Sequence, residues 1–238
     1  MMTSRITGEP NGGDPCSECS IRRLSVCAAL DRADLRELAH LGRHMHFSPG
    51  ETIFAQEEMT TSFYNLQDGL MRLYKLLSDG RRQIIGFALP GDFLGLAASG
   101  RHNFSADAIG RVELCQFSRS AFIRFSEDKP DLLRRINEFA IRELSQAQDH
   151  MVLLGRRSAE AKIAAFLIRW HDRIARLTGP TQTVPLPMSR QDIADYLGLT
   201  VETVSRTFTR FERDGVVEII RGGIRILDSA RAEVLAAT

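Results

Sequence analysis

Residues 188–215, MSRQDIADYLGLTVETVSRTFTRFERDG, contain the pattern that decides the fold of this chain. Ser189 with Asp192 three residues later is typical of a helix start, and Gly198 is typical of the turn that ends a helix. Thr200 can cap a second helix, whose apolar face comprises Val201, Val204, Phe208 and Phe211. The stretch therefore predicts two helices joined by a short turn, with the geometry to lay the second helix in the major groove of DNA.

The polar side of the second helix carries residues suited to reading base edges. Glu202 can accept a hydrogen bond from a cytosine amino group, Arg206 can donate two to guanine, and Ser205 suits several bases. With Thr200 and Thr209 they make up the predicted DNA-binding set. The alternative is a helix pair that serves packing only, with Glu202 and Arg206 joined in an exposed salt bridge.

The sequence around this motif is compatible with DNA binding but does not establish it. Residues 216–227, VVEIIRGGIRIL, predict a β-hairpin that could act as a wing on the DNA backbone. The net charge is only +1, although residues 156–238 carry 13 Arg or Lys against 10 Asp or Glu. This excess is slight, so the prediction of a nucleic-acid partner depends on the motif.

A β-rich region and a long helix precede the motif. Residues 44–118 consist of short β-forming runs broken by Gly or Pro at intervals of about 8–12 residues, the spacing of a β-sandwich or barrel. A short amphipathic helix, DRADLRELAHLG, comes before this region, and residues 130–154 read as one helix without a turn signal. The predicted fold class is therefore α+β.

The long helix carries an apolar stripe with the a/d spacing of a two-stranded coiled coil. Its members are Leu133, Asn137, Ala140, Leu144, Ala147, Met151 and Leu154. The stripe predicts that two copies of the chain pair along this helix as a homodimer. The alternative is that it packs on its own domain, as the apolar face of most amphipathic helices does.

Three of the four cysteines lie in the twelve residues 16–27, CSECSIRRLSVC. In a reducing cytosol such a cluster indicates a metal, iron–sulfur or redox site rather than a disulfide framework. Cys16, Cys19 and Cys27 can wrap one centre, and Cys115 is the fourth thiol available. A zinc site completed by His40, His44 or His46 and a thiol–disulfide switch stay open. A C-x-x-C oxidoreductase is disfavoured because no strand precedes the pair.

Residues 188–217 resemble the DNA-binding domain of the CRP/FNR family of bacterial transcription regulators, and the similarity extends over about residues 16–228. The resemblance implies that Glu202, Ser205 and Arg206 contact bases of a palindrome with TTGAT-like half-sites. It implies a jelly-roll β-domain of the cyclic-nucleotide-binding type, and RNA polymerase as a partner, with residues 78–82 as a contact. Oxygen-sensing members of the family hold a [4Fe-4S] cluster on three N-terminal cysteines and one in the strand of Cys115.

The segment GDFLGLAASGRHNFSADA, residues 91–108, departs from the members that bind cyclic AMP. Leu96 stands where those members have a Glu for the ribose, and Phe104 stands where they have an Arg for the cyclic phosphate. Without that Arg, an anionic phosphate would lose its bidentate partner. We therefore expect no cyclic nucleotide to bind.

The sequence thus predicts a cytoplasmic transcription regulator that is not an enzyme. No run of eighteen apolar residues indicates a membrane span, and the first fifteen residues contain no apolar signal region. The predicted domains are a flexible cysteine-bearing segment at 1–30, a sensory β-roll at 31–128, a dimerisation helix at 129–157 and a winged helix-turn-helix at 158–238. In this interpretation, oxygen or redox state acts on the cluster and changes the dimer that binds double-stranded DNA.

Overall fold

A computed structural model describes Cys16 and residues 18–97, 100–155 and 158–237 of the chain. By backbone contacts the chain divides into two compact units, one formed by Met1–Arg81 with Gly86–Ser145 and the other by Arg82–Ile85 with Gln146–Thr238. In the part of the chain that the structure describes, no helix is long and apolar enough to span a membrane.

The first unit is built on an antiparallel sheet. Its strands are β1 (Gly42–Phe47), β2 (Thr52–Phe54), β3 (Ser62–Leu76), β4 (Arg82–Ala88), β5 (Phe93–Leu94) and β6 (Ser105–Ser118), of which the first four residues of β4, Arg82–Ile85, are grouped with the second unit. The order is β1-β6-β3-β4, with β2 paired to β6 and β5 paired to β3. The two long strands β3 and β6 pair along most of their length, so they carry the residues that position the cysteines.

Three helices cover one face of this sheet, and an aromatic cluster fills the space beneath them. They are α1 (Arg32–Leu41), α2 (Arg119–Ser126) and α3 (Pro130–Leu154). Asp31 caps α1 by accepting from the amides of Ala33 and Asp34, both at 2.8 Å. At the centre, the ring of Phe122 lies 5.1 Å from that of Phe63 and 5.4 Å from that of Phe93. These contacts join α2 to β3 and β5 in one core.

The second unit is a helical domain with a small sheet. It contains α4 (Ala159–Thr178), β7 (Thr183–Pro185), α5 (Arg190–Leu197), α6 (Val201–Arg213), β8 (Val217–Ile220), β9 (Gly223–Ile226) and α7 (Ser229–Ala237). The sheet order is β7-β9-β8. Trp170 of α4, the single tryptophan of the sequence, donates from its indole nitrogen to the carbonyl of Pro185 at 2.8 Å. This bond ties α4 to the edge of the sheet.

The last turns of α3 belong to the second unit and pack on α5. The ring of His150 stacks on that of Tyr196, with 4.0 Å between centroids and 4° between planes. A ring nitrogen of His150 also lies 2.8 Å from the carbonyl oxygen of Tyr196. Burial lowers the pKa of His150, although the bond to Tyr196 opposes this effect. Arg82 adds ion pairs to Asp192 at 3.0 Å and Asp195 at 2.8 Å.

The predicted fold class and several elements are confirmed. The α+β class is correct, and the long helix begins at Pro130 and ends at Leu154, as the sequence indicates. Helix α1 and the hairpin of β8 and β9 also lie where they were predicted. Strand β7 and helix α7 were not predicted. The boundaries proposed for the four domains stay a prediction.

Candidate cysteine site and nucleic-acid interface

Helices α5 and α6 form the predicted helix-turn-helix, and each begins at the expected cap. The Ser189 hydroxyl accepts from the amide of Asp192 at 3.0 Å, and the Asp192 carboxylate accepts from the amide of Ser189 at 3.0 Å, which completes a capping box. Gly198 ends α5 in the left-handed conformation, with φ 63°. Thr200 caps α6 by accepting from the amide of Thr203 at 3.2 Å. Capping therefore fixes where α6 begins.

Helix α6 has one buried face and one exposed polar face. Val204, Phe208 and Phe211 are buried to 2% exposure or less, whereas Val201 is only half-buried. The exposed residues of the first three turns include Glu202, Ser205, Arg206 and Thr209. Among the described residues, no ion pair joins Glu202 to Arg206, so the salt bridge of the packing-only alternative is not formed. Their polar groups face outward and can reach a ligand.

The hairpin of β8 and β9 lies beside this helix pair and is held to strand β7. A side chain on Gly223 would meet the carbonyl oxygen of Val184 at 2.4 Å, so β9 can approach β7 closely only because this residue is glycine. Arg225 and Glu218 pair across the hairpin at 2.5 Å. The predicted wing is thus present as a short, tied hairpin.

The cysteine-bearing segment is folded onto the first unit where the structure describes it. Val26–Ala29 form a 3₁₀ helix, and Ser25 caps it by accepting from the amide of Cys27 at 3.2 Å. Val26 is fully buried, and Cys27 and Leu30 are 8% and 3% exposed. These residues belong to the same buried cluster as Phe63, Phe93 and Phe117 of the sheet and Leu132 and Phe139 of α3. The segment is therefore part of the core.

The structure brings three of the four predicted cysteines, Cys16, Cys27 and Cys115, to one buried cluster. Cys16 and Cys115 pack against the cluster that contains Cys27. Burial raises the pKa of Cys115, and repulsion from charge on Cys27, Cys16 and Cys19 raises it further. Burial also raises the pKa of Cys27. Cys16, Cys27 and Cys115 therefore meet at one buried cluster despite their separation in sequence.

The four cysteines are free thiols. No disulfide joins Cys19, Cys27 and Cys115 to one another. Within the described residues, no group of three or more His, Cys, Asp or Glu side chains is arranged to hold a single metal ion. His44 bonds to Gln67 at 3.0 Å and His46 lies 3.4 Å from Glu113, so two of the three predicted histidine candidates have other neighbours, and the third, His40, is exposed in the last turn of α1.

Two contacts that the sequence did not reveal fix the cysteine segment in place. Gly91, with φ +95°, lies so close to Leu24 that a side chain there would meet the Leu24 Cβ at 2.9 Å. Arg135 of α3 donates from Nε to the carbonyl of Ser25 at 3.4 Å and pairs with Glu138 at 2.9 Å. The first contact ties the segment to the turn before β5, and the second ties it to the long helix.

Comparisons with known proteins find one matching domain in each unit. Residues 44–129 match the model of the cyclic nucleotide-binding domain, and residues 161–231 match that of the Crp-like helix-turn-helix domain. The chain is 67% identical to the nitrogen fixation regulation protein FixK of Bradyrhizobium diazoefficiens over 100% of both chains. It is 57% identical to the transcriptional activatory protein AadR of Rhodopseudomonas palustris, over 93% of this chain and 92% of that protein.

The chain belongs to the CRP/FNR family of transcription regulators. It also resembles the solved structure of FixK2 from Bradyrhizobium japonicum, with a TM-score of 0.76, 35% identity, and coverage of 83% of this chain and 98% of that one. As a member of this family the chain is a DNA-binding transcription regulator, and the prediction that it is not an enzyme is confirmed.

In the cyclic-nucleotide-binding domain, aromatic side chains lie at the position where members that bind cyclic AMP have the Arg for the cyclic phosphate. The His102 ring stacks on Phe54 with centroids 4.0 Å apart, and the Phe104 ring lies 5.7 Å from that of Phe54. Nearby, Asp107 accepts from the Thr52 hydroxyl at 2.9 Å. Phe104, which stands in place of the phosphate-binding Arg, thus belongs to an apolar group. That no cyclic nucleotide binds stays a prediction.

Replacing Gly91 by Ala should loosen the cysteine segment. Any residue with a side chain is strained at the positive φ of Gly91, and the new methyl group would also clash with Leu24. The free energy of unfolding should therefore fall by about 1–3 kcal/mol more than the backbone strain alone would cause. Gly80→Ala is the matched control, because Gly80 has φ +81° and nothing within 4 Å of the added group. Urea denaturation and the rate of tryptic cleavage after Arg22 and Arg23 measure the effect. Equal losses in both variants would contradict the assigned contact.

Replacing Arg206 by Ala should relax the preference for one base pair of the operator and weaken specific binding by about 1–3 kcal/mol. The reason is that Arg206 is exposed on the polar face of α6 that the sequence predicts to read bases. Arg213→Ala, which removes an exposed arginine at the end of the same helix, is the control and should weaken binding evenly across sequences. Operators selected from random DNA for each variant provide the measurement. An unchanged base preference in Arg206→Ala would refute the role.

Proposed function

We propose that the chain is an oxygen- or redox-responsive transcription activator that binds a palindromic operator as a homodimer. The observation that carries this proposal is the packing of the cysteine segment on both the strand of Cys115 and the helix α3. A site placed between a sheet and a long helix can pass a local change to that helix. The presence of DNA-reading residues in the same chain gives such a change a use.

The residues that would hold a [4Fe-4S] cluster are Cys16, Cys19, Cys27 and Cys115. Four thiols match the number of protein ligands such a cluster takes, and Cys16, Cys27 and Cys115 meet at one buried cluster. When bound, the cluster would supply an oxygen-sensitive group whose charge the thiolates share. The thiols must release their protons to bind it, so the raised pKa of Cys115 and of Cys27 favours the protonated form in its absence.

The contacts of α3 with the cysteine segment support a mechanical link. Val26 and Cys27 share a buried cluster with Leu132 and Phe139 of α3. Arg135 adds a hydrogen bond from α3 to the carbonyl of Ser25, two residues before Cys27. Any change in how the cysteines hold this segment therefore alters the packing of α3 in the first unit. Because α3 is continuous, its last turns carry the change to the stack of His150 on Tyr196 in α5.

The outer face of α3 supports pairing with a second copy of the chain. Exposed apolar residues on this helix are Leu133 at 45%, Ile141 at 56%, Leu144 at 58%, Met151 at 63% and Val152 at 62%. Leu154, predicted for the same stripe, is half-buried. Ile141 and Val152 widen the stripe beyond the predicted positions. A two-fold dimer along α3 would place two α6 helices about one turn of DNA apart. TTGAT-like half-sites follow from the family resemblance.

The remaining partners follow from the activator role. We propose RNA polymerase as the partner that an activator recruits, and the cytoplasm as the place where this regulator meets chromosomal DNA. Residues 78–81 stay available for a polymerase contact. Arg82, predicted as part of that surface, is instead engaged with Asp192 and Asp195. The surface proposed from the family resemblance is therefore shorter than the sequence suggested.

Replacing Cys115 by Ser should discard the cluster while leaving the fold intact, because the hydroxyl keeps the size of the side chain but is a poor iron ligand. Wild-type protein purified without oxygen should be brown and contain about four iron and four sulfide per chain. The variant should be colourless, with an unchanged far-ultraviolet circular dichroism spectrum and weak operator binding that ignores air. Metal analysis and gel-shift assays under nitrogen and in air provide the measurements.

Ala28→Ser is the control for this substitution. It adds the same hydroxyl at an exposed position directly after Cys27 and should keep the iron. Colourless wild-type protein that binds its operator equally with and without oxygen would end the proposal of a sensor. One zinc per chain in place of iron would instead favour the zinc alternative.

Replacing Leu144 by Glu should prevent dimer formation, because two charges would face each other in the centre of the apolar seam. We expect the dissociation constant of the dimer to rise about a hundredfold, or ~2.7 kcal/mol. Gln146→Glu places the same charge at an exposed position on the side of the helix away from the widened stripe and should leave the dimer unchanged. Sedimentation equilibrium measures both variants. Equal association of the two variants would show that α3 does not pair along this seam.

A further inference from the structure

Asn65 is a buried amide in the apolar core of the first unit. It lies within β3, is 1% exposed, and pairs with Cys115 of β6 on one side and with Phe93 of β5 on the other. Residues that pair across antiparallel strands point to the same face of the sheet, so the Asn65 side chain shares the face of Cys115. That face holds Phe63 and Phe117 of the aromatic cluster. An amide in these surroundings is costly to bury.

The side chain of Asn65 points its donor at a cysteine sulfur. Its Nδ2 donates to the Sγ of Cys27 over 3.9 Å. Its Oδ1 has no hydrogen-bond partner among the described residues. Asparagine usually serves the backbone in turns and helix caps, but this residue lies inside a strand that is paired on both sides. The local backbone therefore gives no reason for an amide here.

The chemistry of sulfur gives a reason. A neutral thiol is a weak acceptor, which fits the long contact to Cys27. A thiolate that binds a metal centre is a much stronger acceptor, because the hydrogen bond is then assisted by charge. The N–H group of Asn65 thus gains most when Cys27 is a metal ligand. Groups that bond to metal ligands in this way orient the ligand and strengthen metal binding.

We propose that Asn65 is a positioning residue of the cysteine site, whose amide donates to the Cys27 sulfur and strengthens the binding of a thiophilic metal centre there. This inference rests on the proposed function, since it takes Cys27 to be a ligand. It adds a residue from the middle of the sheet to a set otherwise made of cysteines. Asn65 would thereby connect Cys27 of the N-terminal segment to the strand that faces Cys115.

The test compares wild-type protein with Asn65→Leu in the full chain. Metal-free protein is titrated with Cd²⁺ under nitrogen, in competition with a chelator, and binding is read from the thiolate-to-cadmium ultraviolet absorption. We expect Asn65→Leu to bind Cd²⁺ on the order of tenfold to a hundredfold more weakly than wild type. The melting temperature of the metal-free variant should stay equal or rise, because leucine removes a polar group that is not satisfied. A purely structural role would lower the melting temperature and leave the affinity unchanged.

Two further variants keep the test decisive. Gln116→Leu removes the neighbouring amide of β6, which donates to the Ser62 hydroxyl at 2.9 Å, and should bind Cd²⁺ as wild type does. Threonine is well suited to a strand, so Asn65→Thr should fold even if the leucine variant does not. Its hydroxyl side chain is shorter than the amide, so this variant should also bind Cd²⁺ more weakly than wild type. Wild-type affinity in a folded Asn65 variant would overturn the inference.

The proposed function is tested separately by reconstituting the same proteins with iron and sulfide. If Cd²⁺ affinity depends on Asn65 but wild type takes up no iron–sulfur cluster, the inference stands and the iron–sulfur sensor fails. If wild type holds a cluster and Asn65→Leu holds both cluster and Cd²⁺ equally well, the sensor stands and the inference fails. If wild type binds neither, both are wrong.

Discussion

The burial of Val26 and Leu30 in the aromatic cluster is the contact on which the rest of this structure depends. These side chains are 0% and 3% exposed, and burying each stabilises the docked segment by roughly 1.5–3 kcal/mol. Cys27 lies between them and is therefore held where the fold places it. Without this apolar anchor, hydrogen bonds such as that from Arg135 to Ser25 would have to order the segment unaided. The position of the thiols is thus a consequence of packing.

Helix α3 connects the packing of the cysteine segment to distant residues, because one face of the helix is buried and the opposite face is exposed. In the first unit, one face of the helix is buried through Leu132 and Phe139. In the second unit, Leu153 near the end of the helix is fully buried. The opposite face leaves Leu144 and Met151 in solvent. A helix has a fixed rise and rotation per residue, so a change on the buried face also moves the exposed one. The same element serves the core and carries the proposed dimer seam.

The sequence predicted what periodicity and caps determine, and failed where contacts join residues far apart. Local signals include the capping residues Ser189 and Thr200 and the repeated apolar spacing along α3. The caps allowed both helices of the motif to be placed correctly. The prediction that four cysteines share one site came from the rarity of thiols in the chain, and it stays a prediction. Asn65, Gly91 and Arg135 carried no such signal, since their contacts with the N-terminal segment form only when β3, the turn before β5 and α3 meet that segment. Strand β7 was too short for any periodicity to show.

The position of Trp170, which bonds to Pro185, has a consequence for the fluorescence of the protein. The chain contains one tryptophan, it is 3% exposed, and it lies in the unit that carries α5 and α6. Tryptophan emission excited at long wavelength therefore comes from the DNA-binding unit alone, with no contribution from the unit of the cysteines. The molecule has a built-in fluorophore for one half, while thiols and any bound metal chromophore belong to the other. Each unit can therefore be followed by its own spectroscopic signal in the intact chain.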